Sequence, residues 1–381
     1  MTDDLVSRIR RRLSDEDTGP PGHAQVARLV RADAVLTGDT AVAVAVRLVT
    51  ADVSGFGPLD ELLRRPEVTD VLVNGHDDVW IDDGTQVHKV SVAFDDDAAV
   101  RRLAQRLLAS AGRRVDMAHP CADAQLPGGV RLHVVLPPIS AATVLSLRVP
   151  RRRAFTLADL EAAGSVDAQM AEVLRGLLAA RVTFLVSGGT GAGKTTVLGA
   201  LIGAVPETQR LVVIEDTAEL QHAHPHAVHL RTREPNAEGA GRVTLTDLVR
   251  QALRMRPDRI VVGEVRGPEV ADLLAALNTG HDGSASTVHA NGPSEVVARF
   301  AALGAMAGLD GTAVERQLGS GVGAVVHVAR DGAGRRYVGS VSVVALRDGS
   351  VKVTPGMSAP SAGAPSQRGN AWAELAAWAH R

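Results

Sequence analysis

The chain has 381 residues, which is enough for two or three domains that each bury a substantial core. Its formal net charge is −2 and its isoelectric point is about 6.7, which argues against a protein that binds nucleic acid mainly through bulk electrostatics. The single cysteine, Cys121, excludes an internal disulfide and any four-cysteine zinc site, so we expect a reducing, cytoplasmic location.

No stretch of the sequence predicts a membrane-spanning segment. The N-terminus begins Met-Thr-Asp-Asp and lacks the basic start and apolar core of a signal peptide. The longest nearly uncharged run, 132–147, is too short to cross a bilayer and is interrupted by Pro137 and Pro138. We therefore expect any membrane association to be peripheral.

The first 150 residues contain two regions. Residues 1–50 are predicted to be a variable N-terminal segment with helical stretches and a loop rich in glycine and proline, and no chemistry is assigned to them. Residues 51–150 are predicted to form a small α+β domain. Its predicted elements are a helix over 59–63, strands over 68–75 and 79–84, a helix over 97–111, and strands over 124–134 and 144–148.

Residues 151–355 alternate strand and helix patterns, which predicts an α/β domain with a mostly parallel sheet and helices on both faces. The predicted strands cover 182–187, 210–215, 259–263, 284–289, 323–329, 337–346 and 351–353, and the predicted helices cover 168–180, 195–205, 244–255, 268–278 and 294–306. Residues 356–381 are predicted to be a flexible tail. Within it, 371–378 forms a short helix that either docks on a partner or, as we prefer, folds back onto the preceding domain.

A phosphate-binding loop lies between the predicted strand 182–187 and the helix that follows it. The segment fits the pattern G-x-x-x-x-G-K-[ST] at every fixed position. Glycines let backbone N–H groups surround phosphate oxygens, and the helix N-terminus adds positive potential. The loop is expected to bind ATP, with Lys194 at the β- and γ-phosphates and Thr195 on Mg²⁺. The binding residues are Gly188, Gly189, Thr190, Gly191, Ala192, Gly193, Lys194, Thr195 and Thr196.

Two further apolar strands end in acids, which hydrolysis requires near the phosphates to hold Mg²⁺ and to orient or deprotonate water. One strand ends at Glu264. Gly263 precedes it where many such ATPases have Asp, so Glu264 is expected to act through the metal shell or its water. The other strand ends at Glu215 and Asp216. For Asp216, a helix-capping role is as good an interpretation as a catalytic one.

Two histidines, His281 and His289, bracket the predicted strand 284–289. A structural zinc site is a poor interpretation because the pair is separated by eight positions with no cysteine nearby. Contact with the γ-phosphate fits their polar context better.

Four ordered motifs resemble those of the type II/type IV secretion ATPases, particularly the branch that drives tight-adherence pilus assembly. Residues 253–267 resemble the family's Walker B signature almost letter for letter, 214–220 resemble its aspartate box, and 278–291 resemble its histidine box. The resemblance covers about 55–350. It implies a RecA-like P-loop ATPase domain joined flexibly to a smaller N-terminal domain, with six subunits in a ring.

The resemblance also implies roles for individual residues. Glu215 would be the catalytic base, Glu264 the Walker B acid that helps to hold Mg²⁺, and His281 and His289 would line the γ-phosphate side. Family arginines from the N-terminal domain approach the phosphates, which implies Arg131 and Arg148 here. Relatives commonly read Asp-Ala-Arg-Leu where this chain has Gln125 as the third residue, so one arginine contact is missing.

The leading hypothesis is therefore a hexameric motor ATPase at the inner face of the cytoplasmic membrane. It would act with inner-membrane platform proteins to assemble a pilus or export protein, and a nucleic acid partner is not expected. Two alternatives remain open: a DNA-transfer ATPase of the conjugation type, and a nucleotide-gated scaffold that hydrolyses little ATP.

Overall fold

The computed structural model describes residues 23–32, 46, 55–84, 86–150, 154–233, 235 and 240–379. The chain divides into two units, Met1–Arg152 and Arg153–Arg381. Most of the predicted variable segment, 1–50, lies outside the described residues. Its described helix, α1 (His23–Arg31), buries Leu29 and Val30.

One antiparallel sheet organises the described part of the first unit. Its strand order is β3-β2-β1-β6-β5-β4, so two runs of three consecutive antiparallel strands meet at the centre, where β1 pairs with β6. The elements are α2 (Asp60–Leu63), β1 (Asp70–Val73), β2 (Val79–Asp82), β3 (Val87–Lys89), α3 (Asp97–Ser110), β4 (Cys121–Gln125), β5 (Arg131–Val135) and β6 (Val144–Arg148).

Helix α3 covers one face of this sheet. Asp96 begins the helix by accepting a 2.6 Å hydrogen bond from the backbone N–H of Ala99, which satisfies one free donor of the first turn. Leu103 and Leu107 of α3 join the core formed by the alternate, fully buried residues of the strands, such as Val71. The predicted α+β domain is therefore observed.

The second unit alternates strands and helices. Its elements are α4 (Leu157–Ala162), α5 (Ala168–Ala179), β7 (Phe184–Gly188), α6 (Lys194–Gly203), β8 (Leu211–Glu215), β9 (Ala227–Arg231), α7 (Leu245–Ala252), β10 (Arg259–Val265), α8 (Val270–Leu277), β11 (Ala285–His289), α9 (Glu295–Met306), α10 (Gly311–Gly321), β12 (Ala324–Arg330), β13 (Arg336–Arg347), β14 (Ser350–Ser358), β15 (Gln367–Arg368) and α11 (Trp372–Ala379). None of the helices in the described part of the chain has both the length and the apolar composition that crossing a bilayer requires.

These strands form one mixed sheet in the order β15-β14-β13-β12-β7-β11-β10-β8-β9. The strands from β12 to β9 are parallel, and β13, β14 and β15 add antiparallel pairs at one side. The carboxyl ends of the parallel strands β7, β8, β10 and β11 consequently meet at one edge of the sheet. This edge carries the phosphate loop and the acids.

Each face of the sheet has its own apolar core. Phe184 and Val186 of β7 face the core that contains α5 and α6, whereas Leu185 faces the core that contains α7 to α10. Because both faces are covered, the central strands are apolar at nearly every position. This arrangement anchors the loops at the carboxyl edge in a rigid scaffold.

The expectation of a flexible tail over 356–381 is corrected by the structure. Strand β14 continues to Ser358, and Leu375 of α11 is fully buried in the core beside α5. Between them, the Ser366 hydroxyl donates to Asp167 at 3.0 Å and the Tyr337 hydroxyl donates to the Pro360 carbonyl at 3.1 Å. The small polar residues are ordered by such hydrogen bonds, which composition does not reveal. The predicted folding back of 371–378 onto the domain is observed.

Candidate functional site

The phosphate loop connects β7 to α6, as the sequence predicts. Gly191 and Gly193 adopt φ angles of 68° and 101°, a region that side chains with a Cβ rarely occupy. A Cβ on Gly188 would lie 2.4 Å from the carbonyl oxygen of Val328 on β12. The loop therefore needs these glycines, and it leaves the N-terminus of the ten-residue helix α6 facing the carboxyl edge of the sheet.

Lys194 and two arginines bind the carbonyl groups of this loop. The Lys194 ammonium donates to the carbonyls of Gly188 and Gly189 at 3.1 Å each. Arg330 donates to the carbonyl of Gly191 at 2.6 and 3.2 Å, and Arg336 donates to the same oxygen at 3.0 Å. Sequence analysis did not identify these arginines, because they lie on the β12–β13 hairpin, far from the motif in the chain.

Glu215 ends β8 and is 4% exposed. Its Oε1 accepts hydrogen bonds from the backbone N–H groups of Glu219 (2.9 Å) and Leu220 (2.7 Å), whereas its Oε2 is buried without a hydrogen-bond partner. A Cβ on Gly263 would lie 2.9 Å from Cγ of Glu215. The glycine where many such ATPases have Asp thus makes room for the Glu215 side chain.

Thr195, Glu215 and Glu264 line one cleft at this edge, together with Asp216, Thr217, Glu219, Gly263 and Arg266. Glu264 Oε2 accepts a hydrogen bond from Nε of Arg266 at 3.1 Å, and Nη2 of the same guanidinium forms an ion pair with this oxygen at 3.0 Å. Burial lowers the pKa of Lys194, while the nearby Glu264 carboxylate raises it and Arg266 lowers it further. No helix follows Asp216 before β9, so the capping interpretation of this residue is wrong.

The two histidines predicted to contact the γ-phosphate, His281 and His289, lie near opposite ends of strand β11. His289 ends β11 and pairs with Gly188 of the phosphate loop. His281 precedes β11, and its Nδ1 lies 3.1 Å from the carbonyl oxygen of Ala276 at the end of α8. A five-residue strand is roughly 15 Å long. The structure therefore corrects the expectation for His281, which does not line the phosphate side of this chain's site.

A pair of histidines that the sequence analysis did not identify lies beside Glu215. The Nε2 atoms of His222 and His229 are 3.0 Å apart, and Nδ1 of His229 lies 3.7 Å from Oε2 of Glu215. Burial and the neighbouring histidines His229 and His224 lower the pKa of His222 to about 4, although Glu215 opposes the shift. The available signal was four histidines within 222–229, directly after the motif that contains Glu215.

Arg131 and Arg148 are neighbours in the first unit, where they pair directly across β5 and β6. The same row continues to Gln125 on β4 and to Asp70 on β1, whose carboxylate lies 3.7 Å from Arg148 Nε. Directly paired residues project from the same face of a sheet. The two arginines thus form one basic pair on this face of the sheet, and on β4 the next residue of the row is the uncharged Gln125.

The residues in the cleft fit a nucleotide with Mg²⁺. Among the described residues, no three His, Cys, Asp or Glu side chains converge to hold a metal ion by themselves. Mg²⁺ in nucleotide sites is usually held by one or two protein oxygens together with phosphates and water. The Thr195 hydroxyl and the Glu264 carboxylate, which line the same cleft, are such oxygens.

The family model for type II/IV secretion system proteins matches residues 52–340. The chain belongs to this family. A protein of Mycobacterium tuberculosis described as "Putative conjugal transfer protein" is 53% identical over 324 residues, which cover 83% of this chain and 92% of that protein. The type IV secretion system protein PtlH of Bordetella pertussis is 33% identical over 251 residues, which cover 60% of this chain and 74% of PtlH.

Family membership agrees with the architecture. The solved structure of the ATPase DotB from Yersinia pseudotuberculosis matches with a TM-score of 0.53 and 17% sequence identity, and the match covers 76% of this chain and 78% of that one. At this identity the likeness concerns the fold alone. The fold is thus a RecA-like P-loop ATPase domain with a smaller α+β N-terminal domain. Nucleotide binding is a property of the family.

Proposed function

We propose that this protein hydrolyses ATP with Mg²⁺ as a hexameric motor that powers pilus assembly or protein secretion across the cytoplasmic membrane. The observation that carries the proposal is Glu215. A carboxylate that is 4% exposed, with one oxygen fixed by two backbone N–H groups and the other unpartnered, lies in the same cleft as Thr195 and Glu264. Such a group is suited to accept a proton from an attacking water.

In this proposal, the residues of the loop and cleft have separate roles in binding the phosphates, holding the metal ion and activating water. Gly188 to Thr196 hold the phosphates through backbone N–H groups, and Lys194 moves from the loop carbonyls to the β- and γ-phosphates. Thr195 and Glu264 would hold Mg²⁺, which when bound would neutralise charge on the phosphate oxygens. Glu215 orients the water and takes its proton. His289 approaches the γ-phosphate in this proposal, which its pairing with Gly188 of the phosphate loop supports.

Arg131 and Arg148 supply positive charge from the first unit. We propose that ATP draws these arginines toward the phosphates, and that hydrolysis removes the attracting charge and releases them. Repeated in a ring at the inner face of the membrane, this motion pushes on inner-membrane platform proteins. The sequence motifs support the tight-adherence pilus branch as the machine concerned.

The test is steady-state ATP turnover of the purified full chain with Mg²⁺, alongside nucleotide binding and mass by light scattering. We expect turnover that rises as a ring forms. Lys194→Ala should lose binding and turnover together, whereas Glu215→Gln should bind ATP and lose turnover by about 100-fold or more. Glu172→Gln is the matched control, because this glutamate is exposed on α5.

One outcome would contradict the role of Glu215, and another would contradict the motor itself. If Glu215→Gln turns over ATP as fast as the parent, then Glu215 is not the base. If the parent binds ATP tightly without turnover in every assembled state, the chain is a nucleotide-gated scaffold.

A second candidate function is DNA transfer, which the description of the Mycobacterium tuberculosis relative favours. The net charge of −2 does not favour it, because nucleic acid binding draws on a basic surface. If the chain acts on DNA, then single- or double-stranded DNA will stimulate ATP turnover with an apparent affinity that falls steeply with salt. If it moves protein, DNA will leave turnover unchanged.

A further inference from the structure

The environment of Glu215 Oε2 points to another residue that serves the proposed reaction. His229 lies on β9, the strand that pairs with β8, and faces the same side of the sheet as Glu215. Its Nδ1 lies 3.7 Å from the buried, unpartnered Oε2. This separation is longer than a hydrogen bond, but catalytic contacts in ligand-free enzymes are often long and shorten when substrate binds.

Hydrogen bonds around the two histidines fix which nitrogen of each ring carries a proton. The backbone N–H of His224 donates to Nδ1 of His222 at 3.2 Å, so this nitrogen has no proton. A neutral imidazole has one proton, which in His222 must be on Nε2. The Nε2 atoms of His222 and His229 are 3.0 Å apart and the ring planes are parallel within 3°.

His222 Nε2–H therefore donates to His229 Nε2. Because His229 accepts at Nε2, its own proton lies on Nδ1, the atom that faces Glu215. The low pKa of His222, about 4, keeps this ring neutral at physiological pH. A backbone N–H thus sets the tautomers of two consecutive rings and directs an N–H group at the unpartnered oxygen.

We propose that His229 is a positioning residue that donates from Nδ1 to Oε2 of Glu215, and that His222 holds His229 in the required tautomer. The inference rests on the proposed function of Glu215 as the base. With Oε1 held by two backbone N–H groups and one lone pair of Oε2 held by His229, the other lone pair of Oε2 remains to accept a proton from water. The proton that Glu215 accepts from water stays on Glu215, since Nδ1 of His229 already carries one.

The hydrogen bond also fixes the orientation of the Glu215 carboxylate, so its loss lowers kcat without changing the contacts that hold ATP. The other charged or titratable groups that face these residues are Arg231, which pairs with Glu215 across β8 and β9, His224 beside His222, and Asp216, Glu219, Glu264 and Arg266 in the cleft. All of them remain in the variants that we compare.

Two amide substitutions separate the two ends of the His229 ring. In His229→Asn the side-chain nitrogen is as many bonds from the backbone as Nδ1, so it retains the donor to Glu215. In His229→Gln the amide group reaches the position of Nε2, where its oxygen can accept from His222 Nε2–H, so this variant retains the partner of His222 and loses the donor to Glu215. His226→Gln is the matched control, because His226 is exposed and its Nε2 lies 3.3 Å from Arg210.

We expect kcat of His229→Gln to fall by about tenfold or more, as for a lost hydrogen bond to a charged group, with KM for ATP little changed. His229→Asn and His226→Gln should retain most of the parent's turnover. Equal losses in the Asn and Gln variants, or no loss in either, would overturn the positioning role.

The tautomers provide a readout that does not require catalysis. In the full chain with ¹⁵N-labelled histidine, NMR should find His222 protonated at Nε2 and His229 protonated at Nδ1. A His229 that carries its proton on Nε2 would contradict the inference whether or not ATP is hydrolysed. If instead Glu215→Gln retains the parent's turnover while the tautomers are as expected, the proposed role of Glu215 as the base fails and the hydrogen-bond assignment stands.

Discussion

At the scale of single residues, Gly263 determines where the Glu215 carboxylate lies. A Cβ at position 263 would approach Glu215 Cγ to 2.9 Å and Oε1 to 3.5 Å. We expect Gly263→Ala to displace the carboxylate and lower ATP turnover by about 100-fold, while ATP binding through the loop is retained. Gly339→Ala is the control, because the Cβ added to this strand residue meets Ala329 at an ordinary 3.6 Å. Turnover equal to that of the control would contradict this role of Gly263.

The same residue illustrates what the sequence could and could not predict. The phosphate loop and the two acids were identified because each follows an apolar strand in a recognisable pattern. The reason for Gly263 is a contact between neighbouring strands, and no local pattern encodes it. The sequence analysis misplaced His281 and missed His229 for a related reason. Only the strand pairing reveals which histidines lie near the carboxyl ends of the strands, where the phosphate loop and Glu215 are found.

At the scale of elements, Gly199 lies where the phosphate-loop helix α6 packs against 219–221, the segment whose backbone N–H groups bind Glu215. A Cβ on this residue of α6 would lie 2.2 Å from the carbonyl oxygen of Gln221. Alanine inside a helix is normally more favourable than glycine by about 1 kcal/mol. Because the contact is with backbone, we expect Gly199→Ala instead to lower the free energy of unfolding and to lower ATP turnover, as measured by urea titration and steady-state kinetics.

Gly203, at the end of the same helix, provides the matched control. A Cβ there meets the backbone nitrogen of Ala223 at 3.4 Å, an ordinary contact, so Gly203→Ala should leave stability and turnover close to those of the parent. Equal free energies of unfolding for the two variants would contradict this prediction, because they would show that α6 can move away from the Gln221 backbone without loss of stability.

The elements that the sequence did not predict lie outside the apolar centre of the sheet. Strand β9 is an edge strand whose residues are all partly or fully exposed, so it lacks the buried run by which β7 and β8 were identified. Helix α10 contains three glycines, which a helix prediction penalises, but its Val314 and Leu318 are buried. Tertiary contacts stabilise these elements, and local propensity alone could not reveal them.

At the scale of the whole molecule, the basic pair and the phosphate loop belong to different units. Arg131 and Arg148 pair in the sheet of the first unit, whereas Lys194 begins α6 in the second. The proposed ring raises the question of whether the arginines act on the site of their own chain or on that of a neighbour. Each arrangement predicts a different result when two inactive variants are combined in one ring.

We expect the arginines to act on a neighbouring chain. Lys194→Ala chains retain the arginines, and Arg131→Ala/Arg148→Ala chains retain the phosphate loop, so neither forms a complete site alone. In rings co-assembled randomly from equal amounts, about one quarter of the interfaces join an intact loop to intact arginines, and turnover should recover to about that fraction of the parent's. Rings of each variant alone give the baseline. If the arginines serve their own chain, no subunit of the mixed ring is complete and the mixture will stay at that baseline.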